Sequence, residues 1–128
     1  MATTLTPVAL VQNTWTATAP TALTGAGTAE TFELTPTVPE DRVIIMLDNL
    51  ASATALVVSV SAGDYWMAGA IAGSVAAASK EMLVFDGAKV KDKDTNKITI
   101  VLTPDGAADA AATILAVQLP PATLLSGV

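Results

Sequence analysis

The stretch Arg42-Val-Ile-Ile-Met-Leu-Asp48 decides the fold class of this chain. Its central residues are all apolar, charged residues stand at both ends, and Asn49 follows directly. A short apolar run with such boundaries is typical of a β-strand that is buried on both faces. We therefore expect a strand over residues 42–48 at the centre of the fold, covered on each side.

Segments in which apolar and polar side chains alternate lie on both sides of this run. Alternation with a period of two predicts strands that bury one face. The predicted strands cover residues 6–12, 14–18, 30–35, 42–48, 54–62, 80–86, 97–103 and 111–119. Residues 74–77 and 88–90 are weaker candidates for strands. Residues 65–73 are predicted to form a long loop, because two glycines disfavour a helix there.

Pro, Gly, Asn and Asp residues divide the chain into short pieces, as turns do between strands. Short strands at this spacing, without a strong amphipathic helix, are typical of an all-β domain. We expect a single antiparallel β-sandwich or jelly roll of about eight or nine short strands. An extended, uncharged segment precedes it.

All ionisable side chains lie in the middle of the chain. The six basic and twelve acidic residues fall between Glu30 and Asp109, so both ends are uncharged. A free soluble domain usually carries charges over its whole surface. We therefore divide the chain into an N-terminal arm or edge strand at residues 1–20 and a β-sandwich domain at residues 21–128. The arm is predicted to be a contact segment; the alternative is a Thr-rich strand or frayed tail solvated by its hydroxyl groups.

Two groups of side chains are candidates for contact with another protein or another subunit. In the arm they are the apolar side chains Leu5, Val8, Leu10 and Trp15. An uncharged arm of this kind can add a strand to the sheet edge of a neighbour. The second group is Tyr65, Trp66 and Met67, which directly follow a predicted turn and include residue types that contribute strongly to interfaces. The alternative for this group is that Trp66 closes the end of the core.

The composition excludes several classes of chemistry. The chain has no cysteine and no histidine, which rules out Cys/His zinc sites, thiol nucleophiles, His-based triads and disulfides. We expect no enzymatic activity and no cofactor, and the net charge of −6 disfavours nucleic-acid binding. Asp92, Asp94 and Asn96 have the oxygen spacing of a calcium loop. Because Lys97 stands where that loop needs glycine, we predict a solvated hairpin turn and no metal site.

Neither a secretory signal nor a membrane span is predicted. Residues 1–11 contain no Lys or Arg that could form a basic n-region. The uncharged run at residues 65–79 is too short to cross a bilayer. We therefore expect synthesis in the cytoplasm and no association with a membrane.

Three segments resemble small structural proteins of tailed phages and prophages, including capsid decoration (cement) proteins. They are Thr3-Thr-Leu-Thr-Pro-Val8 through Gln12-Asn-Thr14, then Asp41-Arg-Val-Ile-Ile-Met-Leu-Asp-Asn49 leading to Leu56-Val-Val-Ser-Val-Ser-Ala-Gly-Asp64, and the closing strand at residues 111–120. The resemblance implies a β-sandwich on the capsid exterior of the virion, bound to the major capsid protein. It also implies a homo-oligomer, with a homotrimer favoured, and no catalytic or metal-binding residues.

Two other classes of binding protein remain open. A tail-fibre or head-fibre subunit, or an Ig-like adhesive domain, has the same pattern of strands but binds a ligand on the host surface. A carbohydrate-binding module needs an aromatic platform, and in this chain only Tyr65 and Trp66 could begin one.

Overall fold

The structure is a computed structural model that describes residues 1–24, 27–38, 42–65, 68–85, 87–104 and 111–120. Strands dominate these residues, with a single helical turn, α1, at Gly87–Val90. The strands are β1 (Ala2–Leu5), β2 (Val8–Ala9), β3 (Thr21–Ala22), β4 (Glu30–Leu34), β5 (Val43–Asp48), β6 (Leu56–Val60), β7 (Ile71–Val75), β8 (Lys80–Val84), β9 (Ile98–Pro104) and β10 (Thr113–Gln118).

The strands form two sheets that pack face to face. Sheet I has the order β1-β4-β9-β6-β7, and sheet II has the order β2-β10-β5-β8, with β3 also paired to β10. The prediction of an all-β sandwich is confirmed. Most neighbours are antiparallel, but β1 runs parallel to β4 and β2 runs parallel to β10, so both sheets are mixed.

The core lies between the two sheets and is built by the predicted alternation. Phe32 and Ile100 point inward from sheet I, and Ile45 and Ile114 point inward from sheet II; all four are almost fully buried. Burial of each such side chain contributes roughly 1.5–3 kcal/mol relative to exposure. Aliphatic packing therefore holds the sandwich together although the chain contains few aromatic residues.

The N-terminal arm belongs to the sandwich as far as Leu10. β1 forms one edge of sheet I and β2 forms the corresponding edge of sheet II, so the chain crosses between the sheets at residues 6–7. Leu5 is buried in the core, and the Leu10 N–H donates a hydrogen bond to the Gln118 carbonyl oxygen at 2.9 Å. The edge-strand interpretation of the arm fits this part of the chain.

The predicted strands at residues 6–12 and 14–18 are wrong in extent. Within them only β2, Val8–Ala9, pairs with a neighbour, and residues 10–20 contain no strand. Pro7 has no N–H to give to a ladder. Asn13 has a φ of 58°, a left-handed conformation that asparagine tolerates and that ends an extended segment.

The prediction that the run at residues 42–48 is covered on both faces is also wrong. β5 lies inside sheet II, between β10 and β8, and its inner residues Val43, Ile45 and Leu47 are buried. On its outer face Met46 remains exposed. The described residues therefore supply one covering layer for this strand, and its other apolar face stays open.

The boundaries around β7 and α1 differ from the predictions as well. β7 begins at Ile71, inside the segment predicted as a loop, because Ile71–Val75 pairs in register with β6. Residues 88–90 lie in the helical turn α1 instead of a strand, and Lys91 then forms a single bridge to Ile98. Small residues such as Ala72 and Gly73 gave no apolar alternation from which the strand could be predicted.

Asn49 fixes the connection between the two sheets at the β7–β8 side. Its buried side-chain amide nitrogen donates to the carbonyl oxygens of Thr54 at 2.9 Å, Ala76 at 3.1 Å and Val75 at 3.3 Å. Its backbone N–H donates to the Ser79 carbonyl oxygen at 2.9 Å. One buried polar residue at the end of β5 thus holds the turn that joins β7 to β8.

Candidate interaction surfaces

The outer face of sheet II is apolar at its centre. Strand register places Met46 between Met82 and Leu115, and Ile44 between Val84 and Val117. We call the surface made by Ile44, Met46, Met82, Val84 and Leu115 the methionine face. Met82 is 70% exposed, Val84 53% and Met46 39%. Large apolar side chains thus stand side by side in water across two adjacent strands.

Two charged residues of opposite sign lie at one end of the methionine face. Asp48 and Lys80 lie opposite each other beside the methionine face, and their side chains form an ion pair at 3.2 Å. A groove of about 310 Å³ runs between this pair, Met46, Met82 and Leu115. Glu81 also lines this groove, so the exposed apolar area borders one ion pair and one further acidic side chain.

The outer face of sheet I is different in character. The outward positions of β9 are Thr99, Val101 and Thr103, and those of β4 are Thr31 and Glu33. Val57 is an exposed apolar side chain on this face, opposite Ser74 and Thr103, and Val101 is half-buried. Hydroxyl groups suit solvent, whereas contiguous exposed methionine, leucine and valine side chains mark sites of protein contact. The two faces of the sandwich are therefore not equivalent.

A second apolar groove opens on the side of the sandwich that carries β7 and β8. Both are edge strands, one from each sheet, and the groove between them has a volume of about 170 Å³. Its described lining residues are Leu47, Val58, Ile71, Ala72, Gly73, Ser74, Val75, Glu81, Met82 and Leu83. We call it the edge groove; Glu81 is the charged residue among these.

The predicted contact residues of the arm have different environments. Leu5 is in the core, so its side chain is not presented to a partner in this fold, and Val8 and Leu10 are half-buried beside β10. Trp15 is fully exposed. A turn precedes it, in which the Thr14 hydroxyl donates to the Gln12 carbonyl oxygen at 3.2 Å. Trp15 is thus the most exposed of the four predicted contact residues of the arm.

The second predicted group lies at the loop between β6 and β7. Tyr65 is 43% exposed, whereas Trp66 and Met67 lie outside the described residues. The N–H groups of Gly63 and Gly69 both donate to the Lys89 carbonyl oxygen, at 2.7 and 3.1 Å. A side chain at Gly63 would overlap the backbone of Lys91, so this close approach requires glycine.

The structure brings Asp64 to the predicted turn, which sequence spacing alone did not indicate. Carboxylate oxygens of Asp64, Asp92 and Asp94 lie within 4.8 Å of one another. Asn96 does not join them, because its side-chain amide donates to the Pro36 carbonyl oxygen at 3.2 Å. Asp92 accepts hydrogen bonds from the N–H groups of Thr95 and Asp94, as expected for a hairpin turn.

These hydrogen bonds predict an acid-sensitive contribution to stability. The N–H groups of Thr95 and Asp94 lower the pKa of Asp92, and the Leu50 N–H, followed by Lys80, lowers the pKa of Asp48. A carboxyl group whose pKa is lower in the folded state than in the unfolded state stabilises the fold at pH values above its unfolded pKa of about 3.9. This stabilisation is lost as the pH falls through the folded pKa. The unfolding temperature of the wild type is expected to drop on acidification below about pH 4.

The Asp92→Ala and Asp48→Ala variants test this origin. Each variant is expected to unfold at a lower temperature than the wild type near neutral pH. Its unfolding temperature is also expected to fall less on acidification, because the ionised group that stabilises the wild type is absent. Thermal unfolding followed by circular dichroism across the acidic range measures both effects. Curves for the variants that run parallel to the wild-type curve at every pH would contradict the assignment.

None of the described helices is long and apolar enough to span a membrane. Comparison of the chain with protein-family models, with curated proteins and with solved structures finds no match. Among the described residues, the methionine face, the edge groove and Trp15 present apolar side chains at the surface.

Proposed function

We propose that this protein is a structural component of a tailed-phage virion that binds the outside of the capsid shell and stabilises it, as a decoration protein does. The methionine face is the observation that carries the proposal, and the major capsid protein is the proposed partner. The resemblance of three segments to small phage structural proteins supports the same assignment. The proposed location is the capsid exterior.

Energetics favour a large partner surface over a small ligand. The methionine face is formed by residues of adjacent strands in one sheet, and its exposed residues are apolar without a convergent set of polar groups. Small-molecule sites usually combine an enclosed pocket with a few directed polar groups. Covering Met46, Met82 and Val84 with another protein contributes roughly 1–2 kcal/mol for each side chain. The favourable free energy of binding rises with the apolar area that is covered, so a large protein surface such as a capsid shell is a better partner than a small ligand.

The composition supports a role without catalysis. The chain lacks histidine and cysteine, and the described carboxylate cluster at Asp64, Asp92 and Asp94 accompanies no identified nucleophile. Of the described charges that line the groove beside the methionine face, Asp48 and Lys80 compensate each other, which leaves Glu81. Binding through that face therefore brings little like-charge repulsion from this chain.

Co-sedimentation with assembled shells tests the proposal. Empty capsids of the phage or prophage whose genome carries this gene are pelleted with the purified protein, and the bound fraction is measured against concentration. We expect saturable binding to the shells and no binding on an array of host-surface glycans. Glycan binding without shell binding would overturn the proposal in favour of an adhesive domain.

A further inference from the structure

Gly73 lies at a position where the backbone of this fold does not require glycine. It lies in the middle of β7, pairs with Val58 of β6 and has no positive φ. A Cβ added at this position would meet nothing within 4 Å. Glycine inside a strand weakens the strand and often marks a place where a ligand or another chain approaches closely. The missing side chain leaves room above Val58 in the edge groove.

The edge groove is an apolar slot with one charged residue among its described lining. Leu47 and Val58 belong to the buried core, and Ile71 and Leu83 are partly buried walls. Its volume is about 170 Å³. An apolar cavity of about 150 Å³ is large enough to hold a benzene ring. A ring side chain can therefore enter, with its outer edge still in contact with solvent.

Trp15 of the same chain is an exposed aromatic side chain whose apolar ring suits the apolar edge groove. It stands in residues 11–20, which connect β2 and β3 along one edge of β10. Those pairings anchor the segment at Gln118 and Ile114, about 13 Å apart along the strand, so its ten residues have slack to project outward. An indole N–H seeks an acceptor when it is buried, and Glu81 in the edge groove offers a carboxylate.

The two features lie on opposite sides of the sandwich. The arm side is formed by β1 and β2, at one end of the order in each sheet, and the edge groove is formed by β7 and β8 at the other end. Residues 1–20 carry no charged side chain, so they can approach the apolar groove of another acidic chain without repulsion between side chains. The surfaces are complementary between two copies.

We propose that Trp15 of one copy inserts into the edge groove of a second copy, beside Gly73, where the Glu81 carboxylate can accept a hydrogen bond from the indole N–H. The contact joins different patches of the two molecules, so it is head-to-tail and builds a closed ring or an open chain. The methionine face is left free, except at Met82, which borders both surfaces. This contact is independent of the capsid proposal, because it forms in the isolated protein.

Light scattering coupled to size exclusion, over a range of protein concentrations, tests the contact. The wild type is expected to elute at a multiple of 12.9 kDa. Trp15→Ala removes the inserted side chain, and Gly73→Val places a side chain in the groove at a position where its Cβ meets no atom within 4 Å. Each variant is expected to weaken association by about 30-fold or more, as loss of a central aromatic contact does.

A matched control and a mixing experiment make the test specific. Ser59→Val adds a side chain of the same kind at an outward position of β6, outside the groove lining, and is expected to associate like the wild type. Gly73→Val is expected to unfold at or above the wild-type temperature, since valine suits a strand better than glycine does. Mixed in equal amounts, the Trp15→Ala and Gly73→Val variants are expected to form a dimer, because one supplies the groove and the other supplies Trp15.

Three results would overturn the proposal. The first is a wild type that stays at 12.9 kDa at every concentration. The second is a Gly73→Val variant that associates like the wild type. The third is a mixture of the two variants that remains monomeric. Because no capsid is present in these measurements, failure here leaves the shell-binding proposal to its own test.

Discussion

Replacing Asn49 by Asp is expected to lower the free energy of unfolding by about 4 kcal/mol, the largest effect we expect from one substitution in this chain. The Asn49 amide nitrogen donates toward the carbonyl oxygens of Thr54, Val75 and Ala76 from a buried position. A carboxylate there cannot donate and places a negative charge against carbonyl oxygens. An uncompensated buried charge typically costs about 3–5 kcal/mol.

A second substitution at Asn49 separates the loss of the hydrogen bonds from the effect of the added charge. Asn49→Ala removes the donors without adding charge and is expected to cost about 2 kcal/mol, so the difference between the variants isolates the charge. Urea unfolding at neutral pH measures both, and the Asp variant is expected to regain stability on acidification, because a protonated carboxyl can donate. Equal stabilities for Asn49→Asp and the wild type would contradict the role assigned to this residue.

A double substitution of Met46 and Met82 by Glu is expected to weaken shell binding by about 100-fold or more while the sandwich stays folded. The two side chains lie opposite each other at the centre of the methionine face and are exposed in the free protein, so neither contributes much to the core. In a contact that covers the face, two carboxylates lose their hydration without gaining a partner. The loss should therefore fall on binding and spare stability.

Val57→Glu is the matched control for this pair. Val57 is 46% exposed on the outer face of sheet I, close to the 39% of Met46, and the variant adds one carboxylate there where the double variant adds two to the methionine face. We expect binding of this variant to shells to stay close to wild type in co-sedimentation. Loss of binding in Val57→Glu but not in the double methionine variant would place the contact on sheet I instead.

Strand alternation predicted the inner faces well because each inward position must be apolar. The alternating residues of β4 and β9 face the core as expected, with Phe32 and Ile100 directly opposed. The parallel pairing of β1 and β2 was not predictable in the same way. Leu5 and Val8 are apolar whichever edge they join, and nothing in their own sequence indicates that the chain changes sheets at Pro7.

The candidate surfaces were harder to predict than the fold. A run such as Val43-Ile-Ile-Met-Leu47 indicates a strand covered on both faces, and it does not distinguish a cover within the chain from a cover supplied by a partner. The available signal is the outward pair Met82 and Val84 of β8, whereas two of the three outward positions of β9 hold threonine. The edge groove had no sequence signal beyond the glycine at position 73, because it forms only where two sheet edges meet.

Methionine oxidation provides the most direct measurement of whether the methionine face is the docking surface. Free and shell-bound protein are treated briefly with dilute hydrogen peroxide, and sulfoxide formation at each methionine is quantified by mass spectrometry. Met1 is fully exposed and serves as the internal control. We expect oxidation of Met46 and Met82 to slow severalfold on the shell while Met1 oxidises as before. Unchanged oxidation of Met46 and Met82 in shell-bound protein would contradict the central claim.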